Sequence, residues 1–248
     1  MNVIDNSQRV AAKVAGVTGV LAVAIVVFGN YALLSPLIVP RDSAETARNI
    51  MAHQTQVRLA LICFLLYSAN VVVLLSALYV ILRPVGPMLA LIGALFRLVF
   101  AILWLLATLN LLGALRLLGT TPYLQVYQSD QVQALARLQV AANFDDYYVG
   151  LPFFGLAATI CAYLWFKSGY IAKTLAAFGV ISSAWCAISA LVFLIFPNFN
   201  QIVNDYWFDS PMAIFELLVS FWLLFKGLGP SGVATALHRP EQTLYSKP

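Results

Sequence analysis

The chain has 248 residues, of which 62% are hydrophobic and only 10% charged, with a mean hydropathy of +0.87. An ordinary soluble domain is about half apolar and about a quarter charged, and 14 basic with 10 acidic residues cannot cover a soluble fold of this length. The same numbers exclude disordered, collagen-like and disulfide-scaffold chains and leave a polytopic helical membrane protein.

Hydrocarbon offers no partner to a bare peptide group, so spans are helices or closed barrels. The apolar runs here are long and continuous, not alternating in segments of about ten, which selects helices. Six spans are predicted, at 14–38, 59–82, 88–118, 147–166, 170–196 and 211–226, as one membrane domain with a tail over 228–248. Lys13 and Pro40-Arg41-Asp42 bound the first. Its apolar stretch runs on through Tyr31-Ala32-Leu33-Leu34 with no clean cleavage site, so it reads as a retained anchor. Arg83-Pro84 closes the second span, Gly119-Thr120-Thr121-Pro122 the third, Lys167-Ser168-Gly169 the fourth and Pro197-Asn198 the fifth. The sixth is the shortest, opening at Asp209-Ser210-Pro211 as a cap with proline in the first turn.

Two connections carry helical signals of their own. Asp42-Ser43-Ala44-Glu45 fits a capping box and opens a polar helical stretch over 44–57. Residues 130–142 place Val132, Leu135, Leu138 and Val140 near one face, an amphipathic helix expected to lie at the outer interface. Ala12, Ala15, Gly16 and Gly19 suit close helix packing. Trp104, Trp165, Trp185, Trp207 and Trp222, with the many tyrosines, are expected partly to populate interfacial belts.

Six spans put both termini on one side. That side collects Arg9, Lys13, Arg83, Lys167, Lys173, Lys226, Arg239 and Lys247 against Asp5 and Glu241. The other side carries four arginines (Arg41, Arg48, Arg58, Arg137) against seven acidic residues. The positive-inside rule then sets both termini in the cytoplasm and the chain in the plasma membrane. The basic residues are anchors scattered over short loops, so the pI of about 9.0 does not signal a nucleic-acid partner.

Several stretches resemble a known family. Leu37-Ile38-Val39-Pro40-Arg41-Asp42-Ser43-Ala44-Glu45-Thr46-Ala47-Arg48-Asn49-Ile50 looks like a signature of a group of bacterial six-helix membrane proteins, domain of unknown function 4386. Leu82-Arg83-Pro84-Val85 with the run from Leu89 to Leu98 is similar to that group's second-to-third-span junction. Gly150-Leu151-Pro152-Phe153-Phe154-Gly155-Leu156 with Tyr163-Leu164-Trp165-Phe166-Lys167-Ser168-Gly169 resembles its fourth span, and Glu216 with Trp222-Leu223-Leu224-Phe225-Lys226-Gly227 its last. The resemblance covers nearly the whole chain in order, and implies six spans but no activity. Where the family carries a histidine before the fourth span, this chain has Asn143, so chemistry implied for that histidine does not carry over.

Composition removes several chemistries. His53 and His238 fall on opposite sides of the membrane and outside the apolar spans, which excludes a bis-histidine haem or a histidine-rich metal site. Cys63, Cys161 and Cys186 lie within spans without paired spacing and read as small core residues. No lysine sits mid-span, and phosphate-binding glycine loops and serine elbows are absent. No cofactor or metal is expected.

The polar residues inside the spans are therefore the site candidates. Arg97 lies about nine residues into the third span, where an uncompensated charge costs at least ~2.5 kcal/mol. Snorkelling towards the cytoplasm is the first expectation for it. Glu216 is the one acidic residue within a span, about five residues from the start of the sixth. A direct pair between the two is attractive but disfavoured, because their side chains tilt towards opposite faces; left unpaired, Glu216 is a candidate proton carrier. Asn70, Tyr67, Ser182 and Ser183 fall near enough in depth to join Arg97 in a polar layer, with Asn70 read chiefly as interhelical glue. A second cluster, Asn30, Tyr31, Asn110, Asp145, Asp146, Tyr147 and Tyr148, marks the outer mouth, either as helix-dipole complement or as a cation or amine site.

The expected fold is all-α, a bundle of six transmembrane helices with amphipathic outer connections. The expected role is non-enzymatic: besides the bilayer, the partner is a lipid-like or small amphipathic ligand, or another membrane protein. The alternatives are a secondary transporter using Glu216, although no inverted repeat is visible, and an intramembrane acid-base enzyme.

Overall fold

An aspartate opens the first helix. The Asp5 carboxylate accepts from the Gln8 backbone N–H at 2.7 Å while the Gln8 side chain accepts from the Asp5 N–H at 3.3 Å, a reciprocal capping box. Helix α1, Asn6–Val27, runs on through a π-helical turn, Phe28–Leu34, and a 3-10 turn, Ser35–Leu37. Pro36 has no N–H to carry the ladder further. Nearby carbonyls are met from outside the helix: Gln56 donates to Leu33 O at 2.8 Å and Asn49 to Leu37 O at 3.4 Å.

The computed structural model describes residues 4–39, 42–119, 127–196, 198–199, 202–204 and 206–229. The breakers at Pro40-Arg41, 120–122 and Pro197, and the predicted tail beyond 229, lie outside the described residues. After α1 come α2 (Ser43–Ala52), α3 (Gln54–Leu82), α4 (Pro87–Leu118), α5 (Ser129–Ser168), α6 (Lys173–Ile195) and α7 (Tyr206–Phe225). Among the described residues all but α2 are long and apolar enough to cross a membrane, which gives six spans, the first running on from α1 to Leu37.

Three local expectations change. Only half of the predicted capping box forms at α2: Asp42 accepts from the Glu45 N–H at 2.8 Å, but the Glu45 carboxylate turns to Arg48. The polar stretch 44–57 is not one helix, because His53 leaves helical geometry (φ −119°, ψ 37°) and separates α2 from α3. The amphipathic segment 130–142 is no separate interfacial helix either. With neither Gly nor Pro between Asp130 and Val149 to interrupt the ladder, it continues into the span as α5, 40 residues and therefore about 60 Å long.

The last helix begins earlier than Pro211, so Asp209 and Ser210 lie inside it rather than capping it. Pro211 lacks the N–H that would bond to the Trp207 carbonyl four residues back. The Trp185 indole N–H of α6 donates to that carbonyl at 2.7 Å. Trp185→Phe keeps the ring and removes the donor, with an expected loss on the order of 1 kcal/mol in detergent unfolding titrations.

The spans close a ring: α1 packs on α3 and α7, and α3–α4, α4–α5, α5–α6 and α6–α7 are neighbours in turn. Contact between α1 and α7 is backbone-close, since a Cβ on Gly16 would fall 2.9 Å from Ser220 O and 3.0 Å from Leu224 N. At one end of the ring Gln8 donates to Ile81 O at 3.1 Å and to the Tyr170 hydroxyl at 3.4 Å, and the Gly229 N–H donates to Tyr170 O at 2.9 Å. The start of α1 and the last described residue, Gly229, thus converge on Tyr170 at this terminal end, beside a core around Trp165, Tyr170, Ile81 and Leu82. At the far end α2 lies against α4 and α5.

Candidate functional site

Residues three and four apart share a helix face, and five of the spans turn such a face inward. On α4 the face reads Arg97, Phe100, Trp104, Ala107; on α3, Phe64, Tyr67, Val71, Leu74. On α5 it reads Asn143, Tyr147, Leu151, Phe154, and on α7 Asp209, Met212, Glu216. With Gly19, Ala22, Val26 and Asn30 of the first helix they enclose a cavity of about 470 Å³, to which α6 contributes no lining residue. That is ample for a small organic molecule.

The floor is an ion pair. Arg97 Nη1 donates to Glu216 Oε2 at 3.0 Å and Nη2 to Oε1 at 2.5 Å, the two-pronged geometry in which guanidinium and carboxylate match best. Arg97 is 2% exposed and Glu216 17%. The guanidinium carbon also sits 5.0 Å from the Phe154 ring centre, and that ring stacks on Phe100 at 4.5 Å, 5° from parallel. Snorkelling is therefore not what Arg97 does, and the disfavoured direct pair is formed. The opposite tilt of the two side chains does not keep them apart, because the two residues lie at one depth. With α7 beginning at Tyr206, Glu216 lies nine residues from its terminal-end limit, Phe225, and Arg97 ten residues from Pro87, about 14 and 15 Å. They share a depth.

Above the floor the wall is aromatic. The Trp104 ring lies 5.1 Å from Phe64, 4.8 Å from Tyr67 and 5.9 Å from Tyr147, centre to centre. Trp104 at 6% exposure and Trp165 at 1% are interior residues, not members of an interfacial belt; Trp185 and Trp207 are exposed. The rim is polar. The Tyr147 hydroxyl donates to the Asp209 carboxylate, joining α5 to α7, and Asn143 donates to Ala107 O at 2.8 Å, joining α5 to α4. Asn30, Tyr31, Ser35, Tyr148 and Asn204 complete it.

Of the residues singled out from sequence, Arg97, Glu216, Tyr67, Asn30, Tyr31, Tyr147 and Tyr148 meet in this cavity. Asn70 stands outside it and donates to Thr18 O at 2.7 Å, tying α3 to α1 as interhelical glue. Ser183 is buried on α6 with its backbone against Gly155, away from the cavity. Asn110 donates to Asp146 at 2.7 Å, a bond between α4 and α5 outside the lining, and Asp145 does not line it either. Sequence reasoning missed Trp104, Asn143 and Asp209 as site residues. The available signal was register: Trp104 lies seven residues from Arg97, Asp209 seven from Glu216 and Asn143 four from Tyr147, each on the helix face that carries that candidate.

Fold and cavity together define a class: polytopic α-helical membrane proteins whose bundle encloses an aromatic-walled, ion-paired chamber. The family described as Domain of unknown function (DUF4386) matches residues 14–227, and the chain belongs to it. A relative named "Uncharacterized protein" from Archaeoglobus fulgidus is 28% identical over 151 residues, 61% of this chain and 73% of the relative. No solved structure matches.

Proposed function

We propose that this protein is a non-enzymatic binder that holds a small amphipathic molecule within its bundle, in the plasma membrane and with both termini in the cytoplasm. The single observation that carries the reading is the chamber itself, whose apolar aromatic walls join a polar floor at Arg97 and Glu216 to a polar rim at Tyr147 and Asp209. An apolar body lies against the walls while polar groups are oriented at the ends. The bilayer is the solvent for the outer faces, where residues such as Leu66, Ile102, Ile181 and Ile188 point outward. That the Glu216 carboxylate accepts both terminal nitrogens of Arg97 supports the binder reading; the alternatives are a secondary transporter using Glu216 and an acid-base enzyme using Glu216 or Asp145 and Asp146.

The test compares molecules extracted from the protein purified in mild detergent with those from Ala213→Phe. Ala213 is half-buried in the lining, so a phenyl group there enters the chamber. Mass spectrometry is expected to find a molecule held by the unmodified chain and lost from the folded variant. Identical extracts from the two would contradict the reading.

A further inference from the structure

We infer that the chamber is loaded sideways, from the leaflet at the far end, through a seam between the first and last helices, and that its occupant is the hydrocarbon chain of a bilayer lipid. This deepens the reading above and rests on it. The glycines of the first span mark the seam. At Gly16 the helix backs onto α7, where a Cβ would meet Ser220 O and Leu224 N. At Gly29 it backs onto α3 instead, where a Cβ would fall 2.8 Å from Cys63 Cβ and 3.2 Å from the Phe64 ring. Between these positions the close contact passes from one neighbour to the other.

The apolar cores divide along the same line. In the terminal half Ala11, Ala12 and Ala15 share a core with Phe215, Val219 and Leu223 of α7. In the far half Ala22, Leu34 and Leu37 pack with α3, α4 and Val140 of α5, in a core that includes no residue of α7 among the described residues. Met212 of α7 packs with α5 and α6. The two helix faces that touch at Gly16 and Ser220 nevertheless continue in register, through Gly19, Val23 and Val26 on one side and Leu217 and Ala213 on the other. Val23, Val26 and Ala213 line the chamber, and Val23 is partly buried yet joins none of the three cores. The chamber thus takes the place of α1–α7 packing in the far half.

Depth and chemistry select the occupant. On α5 the lining runs from Asn143 to Phe154, eleven residues and about 16 Å. A hydrocarbon core of ~30 Å gives one leaflet about that depth. The lining begins at the far end and stops at the Arg97–Glu216 pair, so it spans the far leaflet's share of the bilayer. Valine and alanine edge the seam and carry no side-chain polar group, so a lipid chain crosses it without desolvating one. Inside, the chain lies against Phe100, Leu151 and Met212, with its head group at the level of the rim.

The experiment uses the full chain in phosphatidylcholine nanodiscs and two photoreactive probes. One is a phospholipid with a diazirine at the end of one chain, which stays in the bilayer; the other is a water-soluble octyl glucoside carrying the same group. Adducts are located by peptide mass spectrometry after illumination. The phospholipid is expected to label Phe100, Leu151 or Met212 as well as the lipid-facing Ile181 and Ile188, with or without chamber adducts from the glucoside. Chamber adducts from the glucoside alone overturn sideways loading and leave the binding chamber standing. No chamber adduct from either probe overturns both readings. Val23→Trp, or Leu217→Trp should that variant not fold, is expected to cut chamber labelling by the phospholipid at least threefold relative to labelling of Ile181. An unchanged ratio in the folded variant overturns the seam as the route.

Discussion

Glu216→Ala is expected to lower the stability of the bundle by about 3–5 kcal/mol, because it leaves the Arg97 guanidinium buried at 2% exposure without its acceptor. Arg97→Met alone strands the carboxylate, which is 17% exposed towards the chamber, and should cost less. Replacing both, Arg97→Met with Glu216→Leu, removes the two desolvated charges together and should recover most of the loss. The comparison is a double-mutant cycle, read by unfolding in mixed micelles of increasing denaturing-detergent fraction, and the expected signature is strong non-additivity. Additive losses would mean that the two side chains do not pair. The stabilised double variant should still lose its bound molecule, which separates a role in orienting ligand from a role in holding the helices.

The second large effect is expected at Gly155→Leu. A Cβ at Gly155 would lie 2.8 Å from Ala187 N and 2.9 Å from Ser183 O, so the obstruction is the backbone of α6 and not a side chain that can swing away. The variant should cost about 3 kcal/mol by forcing α5 and α6 apart. Gly113→Ala is the matched control: its nearest neighbour is the side-chain end of Gln139 at 3.0 Å, and unfolding in the same micelles should change little.

Fold class and span count were legible in the sequence because they depend on the solvent. Where lipid surrounds a chain, hydropathy reports the crossing segments almost directly. Helix limits were less legible where the deciding partner is distant in sequence. Pro211 reads as a helix start, yet α7 begins at Tyr206 because Trp185 supplies the hydrogen bond that the Trp207 carbonyl loses. The Arg97–Glu216 pair was hidden by the tilt argument, although the limits of α4 and α7 at the terminal end already place the two residues at one depth. Asn70 and Ser183 were grouped with Arg97 by depth alone, but depth fixes only one coordinate. Rotation about the helix axis turns Asn70 to α1 and Ser183 to the α5–α6 contact, while Tyr67 faces the chamber. Trp104 was assigned to an interfacial belt by residue type, although it lies seven residues beyond Arg97 on the same face, two turns along the wall. Asp209 was counted as an outer-loop charge for the same reason that α7 was started late.

The most direct test of the account is a crystallographic map of the chain purified in mild detergent with nothing added. The account predicts continuous non-protein density in the space between Phe100, Trp104, Leu151 and Met212, reaching from Asp209 to the Arg97–Glu216 pair. A map in which the wall side chains fill that space, or in which Arg97 turns away from Glu216 towards the terminal end, would contradict it.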